Sequence, residues 1–260
     1  MISVICVYNN KAVLCNCLLK GLDRQSADYE LILLDNTGNN YRSAAEALNK
    51  GGRDAKGDYL MFVHQDVQLF SKDWLENVES RLRLLPNLGI AGVAGNREMM
   101  IRGLVSNLKH GEPPRLAGNI ELDRPEKVQT LDECLILIPR AVFFLQKFDE
   151  ETCDDWHLYA VDYCLSIKKQ GYDVYVIPDY VYHLSLGYLS KGYYRGLKKV
   201  IAKHRDAYPI IYSTPGIWNT SYPVSVLRLI KLKYKMISRY VRLKDSVKRA
   251  AKYAMGRGSW

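Results

Sequence analysis

A carboxylate follows directly after a buried strand in the first third of the chain. Residues 59–63 read Tyr-Leu-Met-Phe-Val, and this apolar run predicts a strand buried on both faces of a parallel sheet. His64, Gln65 and Asp66 come next. Ligands of open α/β sheets bind beyond the carboxyl ends of the strands, so these side chains are expected to face a crevice. A carboxylate in that place suits a divalent cation, whereas the simpler interpretation is that Asp66 only caps the following turn.

The surrounding elements predict how this carboxylate is positioned. Strand patterns at 2–7, 31–34 and 59–63 alternate with helical patterns at 11–23 and 43–50, which is typical of a parallel sheet. No G-x-G-x-x-G sequence follows the first strand, which disfavours a dinucleotide-binding domain. Residues 97–127 contain Gly and Pro with little periodicity and predict a long loop over the site. Further strands are predicted at 89–94, 135–138 and 174–177, and further helices at 73–85, 142–146, 161–169, 188–204 and 224–252.

The ordered motifs of the chain resemble those of the family 2 glycosyltransferases. The first motif is N-x-G-x-x-x-A-x-G-D at 49–58, ahead of the strand that leads to Asp66; the second is Asp-Tyr-Cys-Leu at 162–165, followed by Gly171-Tyr172. The resemblance covers residues 1–187 and implies a GT-A domain. That fold is α/β, a mixed sheet flanked by helices, and residues 188–260 are expected to form a C-terminal helical extension.

The resemblance implies a donor site for a nucleotide-diphosphate sugar and a divalent cation, Mn²⁺ or Mg²⁺. The family holds its cation with a D-x-D-like motif, of which this chain keeps only Asp66, and His183 after a later strand is a second expected ligand. His64 is expected to assist or to line the diphosphate. Asp35 matches the position that contacts the nucleoside, although an Asx turn at this position is equally compatible. The other expected contacts are Val7, Tyr8, Asn9, Asn36, Arg53, Gln65 and Asp132 on the donor side, and Trp156 and His157 on the acceptor side.

The catalytic base is harder to assign. The family places an acidic pair just before the last helix of the domain, but here Tyr159 and Ala160 occupy those positions. Asp162 at the helix start could therefore serve as the base, or Asp154 or Asp155 could reach in from the preceding loop. If none of these three aspartates is the base, the transfer reaction is expected to be weakened. Asp162 at a helix N-terminus is also compatible with a purely capping role.

Composition and charge limit the class of protein. The chain has 260 residues and 48% hydrophobic content, enough for one sizeable domain, and its six cysteines form no C-x-x-C pair. Residues from Val224 onward carry eleven Lys and Arg against Asp245 alone, which is more than the net charge of +9 for the whole chain. The body is therefore nearly neutral. With neither a signal-peptide pattern nor an apolar run of spanning length, a cytoplasmic protein is expected.

The basic tail is predicted to be an amphipathic helix on an anionic membrane surface. The other interpretation is a helix packed on protein, and nucleic-acid binding has no supporting motif. At 100° per residue the apolar stripe is Leu227, Ile230, Tyr234, Ile237 and Val241, and the basic stripe is Arg228, Lys231, Lys235, Arg239 and Arg242.

The resemblance to family 2 implies a glycosyltransferase. Such an enzyme would move a sugar, with inversion, from a nucleotide-diphosphate donor to a glycan or lipid-linked acceptor in cell-surface polysaccharide synthesis. The alternative is a non-catalytic nucleotide-sugar or glycan-binding protein on the same fold, which His64 and Ala160 favour because each replaces an expected acid. A nucleotidyltransferase is less compatible, because the turn after the first strand has no glycine.

Overall fold

A computed structural model of the chain describes residues 1–100, 103–111, 113–118, 120–185, 189–229 and 232. The strands are β1 (Ile2–Tyr8), β2 (Tyr29–Asp35), β3 (Tyr59–Val63), β4 (Val67–Leu69), β5 (Leu88–Gly92), β6 (Ala94–Asn96), β7 (Leu104–Ser106), β8 (Leu108–His110), β9 (Arg115–Leu116), β10 (Glu126–Lys127), β11 (Thr130–Leu131), β12 (Leu135–Pro139), β13 (Asp173–Val176), β14 (Val181–His183), β15 (Ile210–Ser213) and β16 (Gly216–Asn219). The helices are α1 (Lys11–Leu14), α2 (Lys20–Leu22), α3 (Ala44–Asp54), α4 (Trp74–Leu82), α5 (Arg140–Leu145), α6 (Tyr159–Lys169) and α7 (Lys191–His204), with a π-helical turn at Cys15–Leu19 between α1 and α2.

A seven-stranded mixed sheet forms the centre, in the order β10-β13-β5-β12-β3-β1-β2. β1 pairs in parallel with β2 and with β3, while β12 runs antiparallel to β3 and to β5. Consequently β1, β2 and β3 all end at one edge of the sheet. The residues that follow them are brought together there, as the sequence predicts.

Helices cover both faces of this sheet. Alternate residues of β1 point to opposite sides: Ile5 joins a buried apolar cluster with α3, α5 and α6, whereas Val4 and Cys6 join a second cluster with α1, α2 and α4. Burial on both faces explains why the central strands are apolar throughout. None of the described helices combines the length and apolar character needed to cross a bilayer.

The motif at 49–58 is a packing device. The Asn49 side chain donates to the Phe148 carbonyl at 2.9 Å and accepts from the Phe148 amide at 3.1 Å, which ties α3 to the segment before α6. A Cβ on Gly51 would lie 2.6 Å from the Ile5 side chain, so α3 lies directly on β1. The spacing therefore marks the close approach of α3 to the sheet.

The segments predicted as irregular contain strands. The region 97–127 contributes β7, β8, β9 and β10, and the linker before Pro223 forms the antiparallel hairpin of β15 with β16. One compact unit runs from Met1 to Thr220, past the expected domain boundary at residue 187. Helix α7 and the hairpin belong to this unit. Apart from the helical residues 224–229 and Leu232, the predicted tail helix lies outside the described residues.

Glu133, which lies between β11 and β12, faces the start of helix α6. Leu158 is the N-cap of α6 in a left-handed conformation (φ 70°), and its side chain makes no capping hydrogen bond. Burial and the charge of Asp132 raise the pKa of Glu133 to about 8, although the backbone N–H groups of Ala160, Leu158 and Tyr159 oppose that shift. The Glu133 carboxyl group therefore faces the first backbone N–H groups of α6.

We expect Gly57→Ala to lower the free energy of unfolding by about 1–3 kcal/mol. The new Cβ would lie 2.7 Å from the Ser3 backbone nitrogen and 2.8 Å from the Met1 carbonyl oxygen, so backbone atoms would have to move. Urea unfolding measures the change. Gly38→Ala is the control, because its nearest neighbour is the side chain of Asn40 at 3.3 Å. Equal stability of the two variants would contradict the packing argument.

Glu133→Gln is expected to change how stability depends on pH. A pKa of about 8 in the folded state, against 4.5 ordinarily, means that the folded chain holds a proton that the unfolded chain releases between these values. The stability contributed by this proton is full below pH 4.5 and is lost as pH rises through 8. The variant should therefore gain stability relative to wild type from pH 5 to 8.5. Thermal unfolding at several pH values tests this, and a difference that is independent of pH would refute it.

Candidate active site

Asp66 is held at the sheet edge by strand β14. β4 follows Asp66 and pairs antiparallel with β14, so that His183 lies opposite Val67. Asp66 Oδ1 is 3.2 Å from His183 Nε2, Oδ2 accepts the Ser185 amide at 3.3 Å, and the Asp66 carbonyl accepts the Leu184 amide at 3.0 Å. The two expected metal ligands are thus brought into contact by strand pairing.

The charges of this pair reinforce each other. Burial alone would raise the pKa of Asp66, but the hydrogen bond and charge of His183 outweigh it and hold that pKa well below its usual range. Burial lowers the pKa of His183, yet hydrogen bonding to Asp66 and the negative charge there reverse the effect and leave it raised. The carboxylate is therefore ionised, as a metal ligand must be.

His64 completes a cluster of three ligand groups. Its backbone N–H donates to the Cys134 carbonyl at 2.9 Å, its ring lies 5.5 Å from the His183 ring, and its Nε2 is 3.2 Å from the Tyr159 hydroxyl. Burial, followed by the charge of His183, lowers the pKa of His64 to about 4. A neutral imidazole at neutral pH has a lone pair available for a cation.

These three groups can hold a divalent metal. One ligand atom each from His64, Asp66 and His183 lies within 4.8 Å of the others, close enough for one ion to reach all three. Mn²⁺ accepts imidazole nitrogen beside a carboxylate more readily than Mg²⁺, which prefers oxygen ligands alone. The donor set therefore fits the implied cation.

Gln65 has a different position from its two neighbours. Its Oε1 accepts the backbone amides of Asn9 and Asn10 at 3.1 and 3.0 Å, and its Nε2 donates to Asn9 Oδ1 at 2.7 Å. Gln65 therefore fixes the turn after β1 against the turn after β3. Gln65 and Asn9 both lie at the predicted edge of the sheet, but their side chains hydrogen-bond to each other.

Asp35 ends β2 at the same edge. Its Oδ1 accepts both the backbone N–H and the hydroxyl of Thr37, at 2.8 and 2.7 Å, which is the predicted Asx turn. Its Oδ2 lies 4.0 Å from Lys11 Nζ. Tyr8, the last residue of β1, also hydrogen-bonds to Asp35, which raises the pKa of the phenol. Asn36 is buried, with its Oδ1 accepting the Tyr41 amide at 3.0 Å, so its side chain serves the turn.

A small cavity of about 60 Å³ adjoins His64. The Trp156 ring is 37% exposed and forms one wall. The His157 ring lies 5.8 Å from the ring of Tyr193 in α7. Trp156 thus lies beside the candidate metal site, and His157 packs against α7. The residues that line the cavity are Val7, Ala44, Leu48, Val63, His64, Trp156 and Tyr159.

Asp132, just after β11, also lies near the cluster of three ligand groups. Its Oδ1 accepts the Cys134 amide at 3.1 Å and its Oδ2 accepts the Thr214 hydroxyl at 2.8 Å. Its negative charge raises the pKa of both His64 and His183. The structure therefore gives this edge a further carboxylate.

The structure contradicts the expected role of Asp162 as the base. Its side chain is only 2% exposed, with Oδ1 2.7 Å from His204 Nε2 and Oδ2 2.8 Å from Lys203 Nζ. Both oxygens are engaged with cationic or hydrogen-bonding groups away from solvent. An acceptor hydroxyl has no access to such a carboxylate, so Asp162 anchors α7 to α6.

Asp154 and Asp155 are also paired with α7. Asp154 lies 2.8 Å from Lys199 Nζ, and Asp155 lies 2.7 Å from an Arg195 guanidinium nitrogen. Asp155 Oδ1 also accepts the Trp156 amide at 2.7 Å. These pairs hold the loop before α6, and either aspartate would have to leave its cation to act as a base.

The expected role of Arg53 is wrong for a topological reason. Helix α3 returns the chain from the end of β2 to the start of β3, and Arg53 lies in its last turn. It is exposed near the amino ends of the strands, where the Gly57 amide meets Ser3 Oγ. The whole length of the sheet separates that edge from Asp66.

Three residues that the sequence did not predict also contribute to this site. Tyr159 bridges His64 and the Glu133 carbonyl, Thr214 bonds to Asp132 from the tip of the β15–β16 hairpin, and Ser185 contacts the Asp66–His183 pair. The only feature of the sequence that could have pointed to this part of the site was the pair of adjacent acids, Asp132 and Glu133, before a predicted strand. Thr214 gave no such signal, because its segment carried no strand prediction.

The model of the glycosyltransferase-like family matches residues 3–185, more than two thirds of the chain. A protein of Fuscovulum blasticum, described as ATP synthase subunits region ORF 6, is 28% identical over 163 residues, which are 59% of this chain and 62% of that protein. The chain thus spans less than two thirds of that relative.

Two solved structures show the same fold at low sequence identity. The mannosyltransferase PcManGT from Pyrobaculum calidifontis, in complex with GDP-Man and Mn²⁺, superposes with a TM-score of 0.53 and 17% identity, over 80% of this chain and 64% of that one. GalNAc-T7 with UDP, GalNAc and Mn²⁺ gives a TM-score of 0.57 and 11% identity, over 78% and 47%. The family match, together with this GT-A architecture, establishes that the chain belongs to the glycosyltransferase-like family.

Proposed function

We propose that the protein transfers a sugar from a nucleotide-diphosphate donor to a hydroxyl group of a glycan or lipid-linked acceptor. The observation that carries the proposal is the convergence of His64, Asp66 and His183 at the carboxyl edge of the sheet. Asp35 with its neighbours Tyr8 and Lys11 lies at the same edge. A set of candidate metal ligands beside polar groups that can bind a nucleoside is what a donor of this class requires.

The donor is proposed to lie along this edge from Asp35 to Asp66. Asp35 retains an oxygen that can accept from a ribose or base, and Lys11 adds a positive charge. The diphosphate would then lie at His64 and His183, next to the cation. PcManGT and GalNAc-T7 in their complexes hold nucleotides and Mn²⁺, which supports this class of ligand.

The chain's residues would contribute orientation and charge. A bound divalent cation, Mn²⁺ or Mg²⁺, would neutralise the leaving diphosphate. His64 and Trp156 form an apolar and aromatic wall beside the position of the sugar, which can exclude water and stack on sugar C–H groups. With the diphosphate held on one side, the acceptor approaches from the other, which gives inversion at the anomeric carbon.

A binding function without transfer is the second candidate. Ala160, where the family carries an acid, is buried at the start of α6 and cannot take a proton. A binding protein on this scaffold would retain nucleotide and cation but leave the sugar–phosphate bond intact. Donor hydrolysis, measured beside donor binding, separates the two functions.

Asp66→Asn is expected to weaken Mn²⁺-dependent binding of UDP by about tenfold or more, because the neutral amide is a poor ligand for a cation. Isothermal titration with UDP and Mn²⁺, and Mn²⁺ binding by electron paramagnetic resonance, measure the loss. Asp123→Asn, at an exposed carboxylate, is the matched control. If the Asp66 variant binds as tightly as the control, Asp66 is not a ligand of the cation.

The basic tail is proposed to hold the enzyme on the cytoplasmic face of an anionic membrane during cell-surface polysaccharide synthesis. Each interfacial Lys or Arg contributes about 1 kcal/mol, so a chain truncated after Pro223 should lose binding to anionic vesicles and keep UDP binding. A chain of full length with Arg228, Lys231 and Lys235 changed to Gln should also bind anionic vesicles more weakly, which separates the loss of charge from the loss of the segment. Sedimentation with anionic and neutral vesicles at two salt concentrations is the measurement. Vesicle binding by the truncated chain would refute the proposal.

A further inference from the structure

We propose that Asp132 is the carboxylate that removes the acceptor proton, and that Thr214 is the residue that positions it. The inference rests on the proposed transfer function and adds the base that Ala160 cannot supply. It also gives the β15–β16 hairpin a role in the reaction. The donor and cation sites do not depend on it.

The position of Asp132 follows from the pairing of the central strands. β12 runs antiparallel to β3 with Leu135 opposite Val63, and the His64 amide bonds to the Cys134 carbonyl at 2.9 Å. Asp132 precedes that contact by two residues and turns its Oδ1 back to the Cys134 amide. Its carboxylate is therefore at the edge of the sheet where β3 ends before His64. It lies on the side of β3 that is opposite to β1 and to the Asp35 end of the donor site.

Asp132 differs from the other acidic candidates in its charge environment. Asp154, Asp155 and Asp162 each have a lysine or arginine nitrogen within 2.8 Å. In the part of the chain that the structure describes, Asp132 makes no ion pair with lysine or arginine, and its partners are an amide and a hydroxyl. Each of its oxygens has about two lone pairs, so both can still accept a proton. The residue is partly exposed, which leaves it accessible to an acceptor.

The β15–β16 hairpin places Thr214 against Asp132. Gln129 accepts the Tyr212 amide at 2.6 Å, and the Thr130 hydroxyl donates to the Tyr212 carbonyl at 2.5 Å. These bonds attach β15 to the segment that leads into Asp132. Thr214, at the hairpin tip, then donates its hydroxyl proton to Asp132 Oδ2 at 2.8 Å. Because both partners are fixed, this bond orients the carboxylate.

The chemical step balances with these groups alone. The acceptor hydroxyl gives its proton to an Asp132 oxygen while its own oxygen forms a bond to the anomeric carbon. The bond from that carbon to the diphosphate oxygen breaks, and the electron pair leaves with the nucleoside diphosphate. When water takes the place of the acceptor, the same step is donor hydrolysis.

Asp132→Asn in the full-length chain is the principal test. A panel of UDP-glucose, UDP-GlcNAc and GDP-mannose with Mn²⁺ identifies the donor that wild type hydrolyses fastest. The variant should hydrolyse it at least about 100-fold more slowly, since general base catalysis contributes that factor or more, while UDP affinity with Mn²⁺ changes less than twofold. Asp206→Asn, at a side chain that is 99% exposed, is the control.

Thr214 is tested with two substitutions. Thr214→Val removes the hydroxyl at similar volume and should lower kcat about tenfold with an unchanged KM for the donor, because only the orientation of the carboxylate is lost. Thr214→Ser retains the hydroxyl and should restore kcat. If Asp132→Asn does not fold, this pair decides the question.

Three results would overturn the assignment. Hydrolysis by Asp132→Asn within about threefold of wild type excludes it as the base. Loss of UDP and Mn²⁺ affinity in parallel with hydrolysis places Asp132 in the donor site instead. A wild-type chain that binds UDP and Mn²⁺ but hydrolyses none of the donors would contradict the transfer function itself, and the base assignment with it.

Discussion

The contact between Asp66 and His183 is the interaction on which the candidate site depends. Asp66 lies in the turn between β3 and β4. Because β4 pairs with β14, His183 Nε2 lies 3.2 Å from the Asp66 carboxylate. The backbone adds the Leu184-to-Asp66 hydrogen bond at 3.0 Å. A candidate cation ligand from the first half of the domain is therefore fixed to one from the second half by strand pairing, before any ligand binds.

The donor set has consequences for charge. A D-x-D motif presents two carboxylates, whereas this chain presents one carboxylate and two imidazoles. His64 remains neutral at pH 7 because burial lowers its pKa to about 4. A neutral His64 ring therefore causes little electrostatic repulsion beside the His183 ring. The site carries less negative charge without a cation than two carboxylates would. Nitrogen ligands also shift its preference from Mg²⁺ towards borderline metals.

The sheet edge was predictable, and the helix-dependent roles were not. Strand ends are local features: an apolar run followed by a polar residue placed Asp35 and Asp66 correctly, because parallel strands end together. Asp162 was misassigned because its partners, Lys203 and His204, are 41 and 42 residues away and belong to a helix whose packing leaves no local pattern. Arg53 was misassigned because the spacing 49–58 does not show which end of the sheet α3 reaches.

The hairpin of β15 and β16 shows a second limit. Its strands are only four residues long, and the segments that flank them are rich in Pro and Tyr. The sequence pattern of this region therefore resembles a linker. Their stability comes from side chains such as Gln129 and Thr130 that bond to the hairpin backbone. Such contacts between distant segments are invisible in one sequence. They nevertheless supply Thr214 to the site, and the acidic pair at 132–133 was the only trace of that surface in the sequence.

The central claim is that one cation bound by His64, Asp66 and His183 holds the donor diphosphate at the sheet edge. A crystal structure of the full chain with UDP and Mn²⁺, with anomalous diffraction recorded at the manganese edge, tests it most directly. The account predicts a single strong anomalous peak in contact with Asp66 and both imidazoles, with the diphosphate of UDP on the same ion and its nucleoside towards Asp35. A manganese peak away from these three residues, or UDP bound at another surface of the domain, would contradict it.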